Sequence, residues 1–109
     1  MGIGIFEFNL LVMSVRLKQL YNEVKNHSDL TYKSIPFYEK TIREIKVELL
    51  KLAAVQGEQI SRDVTDATRL IHLTNRDDLS GIQNYPGEIP KYLGRVKTTI
   101  LSCLVFVNK

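Results

Sequence analysis

The sequence predicts an all-α protein, folded as one domain over residues 1–109. Apolar residues recur at helical steps of three and four in about four segments, roughly 4–27, 36–56, 59–75 and 90–107. Hydrophobic residues make up 44% of the chain and charged residues 25%, which is typical of a globular domain and excludes a disordered one. At 109 residues the chain is long enough to bury one hydrophobic core and too short for two typical domains.

The first predicted helix, 4–27, carries the longest apolar stripe. Its half before Arg16 is apolar around most of the helix circumference, and its second half carries charges on the other faces. Turn-forming residues at 26–29 end the helix. The stripe consists of Phe6, Leu10, Met13, Leu17, Leu20 and Val24.

The second predicted helix, 36–56, has a clear start and a clear end. Pro36 has the fixed φ angle that suits a first helical turn, and Gly57 accepts the left-handed conformation that ends many helices. An unbroken helix through Gly57 would carry polar residues into the core, so we expect a break or a shift of face there. The core stripe consists of Ile42, Ile45, Leu49 and Leu52.

The last two helices, 59–75 and 90–107, are separated by turn-forming residues that end at Pro86 and Gly87. An alternative is open at the ends of the chain. Residues 98–107 are rich in β-branched and aromatic side chains, and residues 2–6 are ambiguous in the same way. The alternative is therefore an α+β fold in which short terminal strands pair. The two predicted helical stripes are Ile60, Val64, Ala67, Ile71 and Leu93, Val96, Ile100, Leu104, Val107.

Neither terminal apolar run has the features of a targeting or membrane segment. The run before Arg16 is shorter than the roughly 20 residues that a transmembrane helix needs. Its first charge is Glu7, whereas a secretory signal begins with a basic region. A single cysteine cannot form an internal disulfide, which favours a reducing compartment, so we expect a cytoplasmic protein. The abrupt apolar C-terminus leaves open that the chain is a fragment of a larger protein.

No residue pattern points to catalysis, a metal or a cofactor. His27 and His72 have no third ligand near them in the sequence, and structural zinc needs four ligands. Cys103 lies among apolar residues and is expected to be a buried, inert thiol. Asp63 and Asp66 alternate with arginines, which indicates an exposed, ion-paired face. We therefore expect a protein that is not an enzyme and that has no cofactor and no metal.

The expected function is contact with another protein or with a second copy of the chain, as an adaptor, assembly module or small inhibitory partner. The basis is the apolar excess at both ends without a membrane or catalytic signature. The alternative is nucleic-acid binding by the last helix through Lys91, Arg95 and Lys97, of which Lys91 and Arg95 lie one helical turn apart, although a net charge of +3 is too mild to favour it. The candidate contact residues are Phe6, Leu10, Met13, Lys91, Tyr92 and Arg95.

Overall fold

Four long α-helices make up most of the described chain. The computed structural model describes residues 5–74 and 81–108, and the side chains of residues 15–74 and 81–107. The all-α prediction is confirmed, and the α+β alternative is wrong because residues 5–26 and 89–108 are helical rather than extended. The helices are α1 (Ile5–Asn26), α2 (Ile35–Gln56), α3 (Arg62–Leu73) and α4 (Ile89–Leu104), and a 3₁₀ turn at Val105–Asn108 extends α4.

Each helix runs antiparallel to the one before it. Arg16 of α1 contacts Glu44 in the middle of α2, while His27, just beyond α1, contacts Ser34, just before α2. Helices α1 and α3 each pack against both α2 and α4. The starts of α2 and α4 line one common cleft, so these two helices point the same way at diagonal corners of the bundle.

One hydrophobic core fills the space between the four helices, and most of the predicted stripe residues whose side chains the structure describes supply it; Val107 is only half-buried at its edge. Each fully buried Val, Leu or Ile side chain of this core contributes about 1.5–3 kcal/mol to the free energy of unfolding. Ile60, which is predicted in the third stripe, is instead 41% exposed because it lies in the turn before α3. The core includes Leu17, Leu20 and Val24 of α1, Ile42, Ile45, Leu49 and Leu52 of α2, Val64, Ala67 and Ile71 of α3, and Leu93, Val96, Ile100 and Leu104 of α4.

Local signals between α2 and α3 explain why α3 begins at Arg62 and not at residue 59. Gly57 ends α2 where the sequence predicts, but its φ of 57° and ψ of −126° lie outside the left-handed helical region; the positive φ is one that glycine adopts readily. A 3₁₀ turn over residues 57–59 follows. The hydroxyl oxygen of Ser61 then accepts a hydrogen bond from the Val64 N–H at 3.2 Å, which caps α3.

Candidate interaction surfaces

The solvent-facing side of α2 carries a second stripe, opposite the stripe that faces the core. Its two central residues are large and apolar: Val47 is 49% exposed and Leu50 is 63% exposed. Amphipathic surface helices usually place charged and polar residues on their solvent side. Two large apolar side chains one helical turn apart on that side therefore indicate a candidate contact surface. We call the stripe the outer stripe of α2. Its members follow the same three- and four-residue steps and are all exposed: Lys40, Arg43, Val47, Leu50 and Ala54.

Ion pairs border the outer stripe on the side of α1. The Arg16 guanidinium donates to a Glu44 carboxylate oxygen at 2.5 Å. One turn further along α2, the Lys51 ammonium donates to Glu48 at 3.3 Å. The side chains of Arg16 and Glu44 are 38% and 32% exposed, so water screens the pair and its contribution to stability is small, about 0–1 kcal/mol. The apolar centre of the stripe is therefore flanked by charges that remain accessible.

A cleft of about 440 Å³ opens at the end of the bundle where α2 and α4 begin. The two helices start alike, because the pattern Ile-Pro-x-Tyr occurs at residues 35–38 and 89–92 and a 3₁₀ turn precedes it both times. Among the residues that the structure describes, no charged side chain lines the cleft, so its walls suit an apolar segment better than an ion. The lining residues are Tyr32, Ile35, Pro36, Gln83, Pro86 and Ile89.

The basic face that the sequence predicts on α4 contains fewer accessible cations in the structure than expected. Lys91 and Arg95 are exposed, and neither forms an ion pair with any residue that the structure describes. Tyr92, between them, is half-buried and packs against the core. Lys97 is not part of the face: its ammonium donates to the backbone carbonyl of His27 at 2.7 Å and ties α4 to the end of α1. Two cations remain for an anionic partner.

The predicted contacts Phe6, Leu10 and Met13 lie on the first half of α1. Their side chains lie outside the part of the chain that the structure describes, so their role stays a prediction. No helix among the described residues is both long and apolar enough to cross a membrane.

A polar cluster joins the end of α1 to the start of α2 and resembles catalytic machinery only superficially. The Ser34 hydroxyl donates to the backbone carbonyl of Asp29 at 2.7 Å. Since this hydroxyl has a single hydrogen, Nε2 of His27 must carry the proton in its own 2.7 Å contact with Ser34 Oγ. His27 also stacks on Phe37, with 4.0 Å between ring centroids. A serine nucleophile needs a neighbouring base that takes its proton, and His27 does not act as one in this geometry.

The Asp29 side chain belongs to the same turn. Its carboxylate accepts the Thr31 N–H at 2.9 Å, and this hydrogen bond holds the pKa of Asp29 below its usual range. The neighbouring Ser34 and His27 lower this pKa further, and the side chain is partly buried. The cluster as a whole therefore fixes the turn between α1 and α2.

The remaining candidates for chemistry are separated from one another. Cys103 is buried, as the sequence predicts, and its thiol donates to the Ala67 carbonyl at 3.2 Å. Burial raises the pKa of Cys103 to about 12, so the thiolate is scarcely populated at neutral pH. His72 is exposed on α3. In residues 5–74 and 81–108 no three His, Cys, Asp or Glu side chains come together as metal ligands.

Comparison with known proteins adds no functional information. The chain matches no protein-family model, no curated protein and no solved structure.

The outer stripe and the cleft are not among the surfaces that the sequence predicts. The sequence does contain the pattern of the outer stripe, because a second set of three- and four-residue steps runs through Val47 and Leu50. The core stripe through Leu49 is more continuously apolar, and it therefore dominates the interpretation of this helix. The signal for the cleft is the repeated Ile-Pro-x-Tyr pattern at 35–38 and 89–92. That pattern indicates two similar helix starts, and only the fold shows that they lie together.

Proposed function

We propose that the protein is a non-enzymatic protein–protein interaction or assembly module, and that the outer stripe of α2 is its contact surface. The observation that carries the proposal is the exposure of Val47 and Leu50 in the middle of a helix whose opposite face supplies the core. An apolar centre with a charged rim is the usual anatomy of a protein interface. The rim here consists of the ion-paired residues Arg16, Glu44 and Lys51. A single buried cysteine also fits a cytoplasmic protein of this kind.

Photocrosslinking at position 50 in the source cells tests this function. A photoreactive benzoylphenylalanine replaces Leu50, and the same residue replaces Leu73 on α3 as a control, because Leu73 is an equally apolar side chain with 77% exposure. We expect a discrete adduct with a protein at position 50 and none, or a different set, at position 73. Mass spectrometry of the adduct identifies the partner. Equal labelling at both positions would contradict the proposal.

The second candidate function is binding of nucleic acid through α4. The observation that favours it is the pair Lys91 and Arg95, both exposed and unpaired within the described chain, on a helix that contains no acidic residue. Two phosphate contacts would give log K a slope of about −2 against log salt concentration. We expect Lys91→Glu with Arg95→Glu to abolish salt-dependent retention on a DNA column. Lys18→Glu with Lys25→Glu changes the net charge equally on the exposed face of α1 and is the matched control. Equal loss in both variants would contradict this candidate.

A further inference from the structure

We propose that a second copy of this chain covers the outer stripe, with the two α2 helices antiparallel around a two-fold axis near residues 47–50. This inference rests on the proposed function and names its partner. The stripe lies on the solvent side of α2, away from α1 and α3, so two bundles can approach through it without rearrangement.

The spacing of the outer stripe is that of a coiled-coil seam. Residues 40, 43, 47, 50 and 54 follow steps of three, four, three and four, which are the steps between a and d positions of a heptad. In an antiparallel pair, an a position lies opposite a d position of the other helix. Val47 of each copy then packs against Leu50 of the other, which buries all four exposed apolar side chains at the axis.

The charges beside the seam select the orientation of the two helices. The e positions are Glu44 and Lys51, and the g positions are Glu39 and Lys46. In a parallel pair, g positions face e positions, so Glu39 would lie opposite Glu44 and Lys46 opposite Lys51. In the antiparallel pair, e positions face each other, and Glu44 of each copy lies opposite Lys51 of the other. Like charges therefore disfavour the parallel pair, and opposite charges favour the antiparallel one.

The outer ends of the seam complement each other as well. Ala54 lies opposite Arg43 of the second copy, and its small side chain leaves room for the arginine stem. Beyond it, Lys40 reaches the 3₁₀ turn after α2 of the second copy, where Glu58 is exposed. The basic first half of each stripe thus meets the small and acidic second half of the other.

This contact is predicted to be weak. Two large apolar side chains per copy bury far less than the roughly 800 Å² per partner of a standard interface, so we expect a Kd on the order of 0.1–1 mM. Glu44 and Lys51 already have partners within the chain, but those pairs are screened by water and can be shared or exchanged at little cost. Such a dimer forms at high local concentration and is best detected by trapping.

Disulfide trapping in a glutathione redox buffer tests both the contact and its direction. Arg43→Cys and Ala54→Cys chains are mixed; Cys103 is buried and does not interfere. In the antiparallel pair, positions 43 and 54 lie opposite each other, whereas the two copies of position 54 are about 16 Å apart along the helices, beyond the reach of a disulfide. We expect the mixed disulfide to exceed either symmetric disulfide at least tenfold. With Leu50→Lys added to both chains, the mixed disulfide should form only twice as often as each symmetric one, which is the ratio that random pairing gives. With Leu73→Lys added instead, the excess of the mixed disulfide should be unchanged.

Charge exchange provides a second, independent readout in the same cysteine pair. Lys51→Glu in both chains places two carboxylates opposite each other and should lower the mixed disulfide roughly fivefold. Lys51→Glu in one chain and Glu44→Lys in the other restores two opposite-charge pairs and should restore the yield. A dominant symmetric Ala54→Cys disulfide, or a gain with Lys51→Glu, would show parallel pairing and overturn the inference. Random disulfide ratios in every variant would overturn the inference too.

Photocrosslinking at position 50 then separates the inference from the proposed function. If disulfide trapping shows no pairing but position 50 still crosslinks to a different protein in cells, the proposed function stands without self-pairing. If position 50 crosslinks to no protein, the inference and the proposed function both fail.

Discussion

The two glycines at the end of α2 and inside α4 should respond to alanine with opposite signs. Gly57 has φ 57° and ψ −126°, and a Cβ added there would meet no atom within 4 Å. The cost of Gly57→Ala is therefore backbone strain alone, about 1–3 kcal/mol of unfolding free energy. Gly94 lies inside α4, and its added Cβ would lie 3.9 Å from Leu30 Cδ1, which is ordinary contact. Gly94→Ala should stabilise the protein by about 0.5–1 kcal/mol, because alanine favours the helix more than glycine does.

Thermal and urea melts followed by circular dichroism measure both changes. At about 4 °C per kcal/mol for a domain of this size, Gly57→Ala should lower Tm by roughly 4–12 °C and Gly94→Ala should raise it by roughly 2–4 °C. Gly87→Ala is the matched control, since it lies in a turn, has open space around its added Cβ and does not have a positive φ. Wild-type stability in Gly57→Ala, or a loss above about 1 kcal/mol in Gly94→Ala, would refute the reasoning.

Three further substitutions test buried polar groups. The pKa of the Cys103 thiol is about 12 in the folded state and 9.0 in the unfolded state, so the unfolded chain loses this proton at lower pH. The free energy of unfolding should therefore fall above about pH 9, by up to about 1.4 kcal/mol per pH unit. Urea melts between about pH 8 and pH 10 should show a slope that Cys103→Ala reduces; an identical slope in both proteins would argue against this. Ser34→Ala removes a donor to the backbone and the acceptor of His27, and should cost about 1–3 kcal/mol, with the exposed Ser28→Ala near zero. Tyr38→Phe removes a buried hydroxyl that has no hydrogen-bond partner among the described residues, and should raise the unfolding free energy by up to about 2 kcal/mol; a loss of stability would contradict this.

Features that depend on neighbours along the chain could be predicted from the sequence. Pro36 and Gly57 mark the ends of α2 because their own φ angles decide where a helix starts and stops. The buried stripes follow from helical periodicity, which needs no knowledge of the partner helix. The same reasoning places Cys103 in the core, since it continues the apolar face of α4.

Features that depend on distant residues could not be predicted in the same way. Lys97 looks like a third cation beside Lys91 and Arg95, but α1 ends near it in space and its ammonium binds a backbone carbonyl there. The cleft between the starts of α2 and α4 joins residues about fifty positions apart, such as Ile35 and Ile89. Its existence depends on two helices pointing the same way at diagonal corners, and no local pattern encodes that arrangement.

The adjacent leucines of α2 separate what the helix does for the fold from what it does for a partner. Leu49 is 1% exposed and Leu50 is 63% exposed, because successive residues of a helix point about 100° apart. Leu49→Lys would bury an unpaired charge and should unfold the domain. The side chain at position 50 faces solvent whether it is leucine or lysine, so Leu50→Lys should alter the unfolding free energy by no more than about 0.5 kcal/mol. Loss of contact in Leu50→Lys, at unchanged stability in a urea melt, can therefore be assigned to the outer stripe itself. A large loss of stability in Leu50→Lys would mean that position 50 belongs to the core, and the proposed interface would lose its basis.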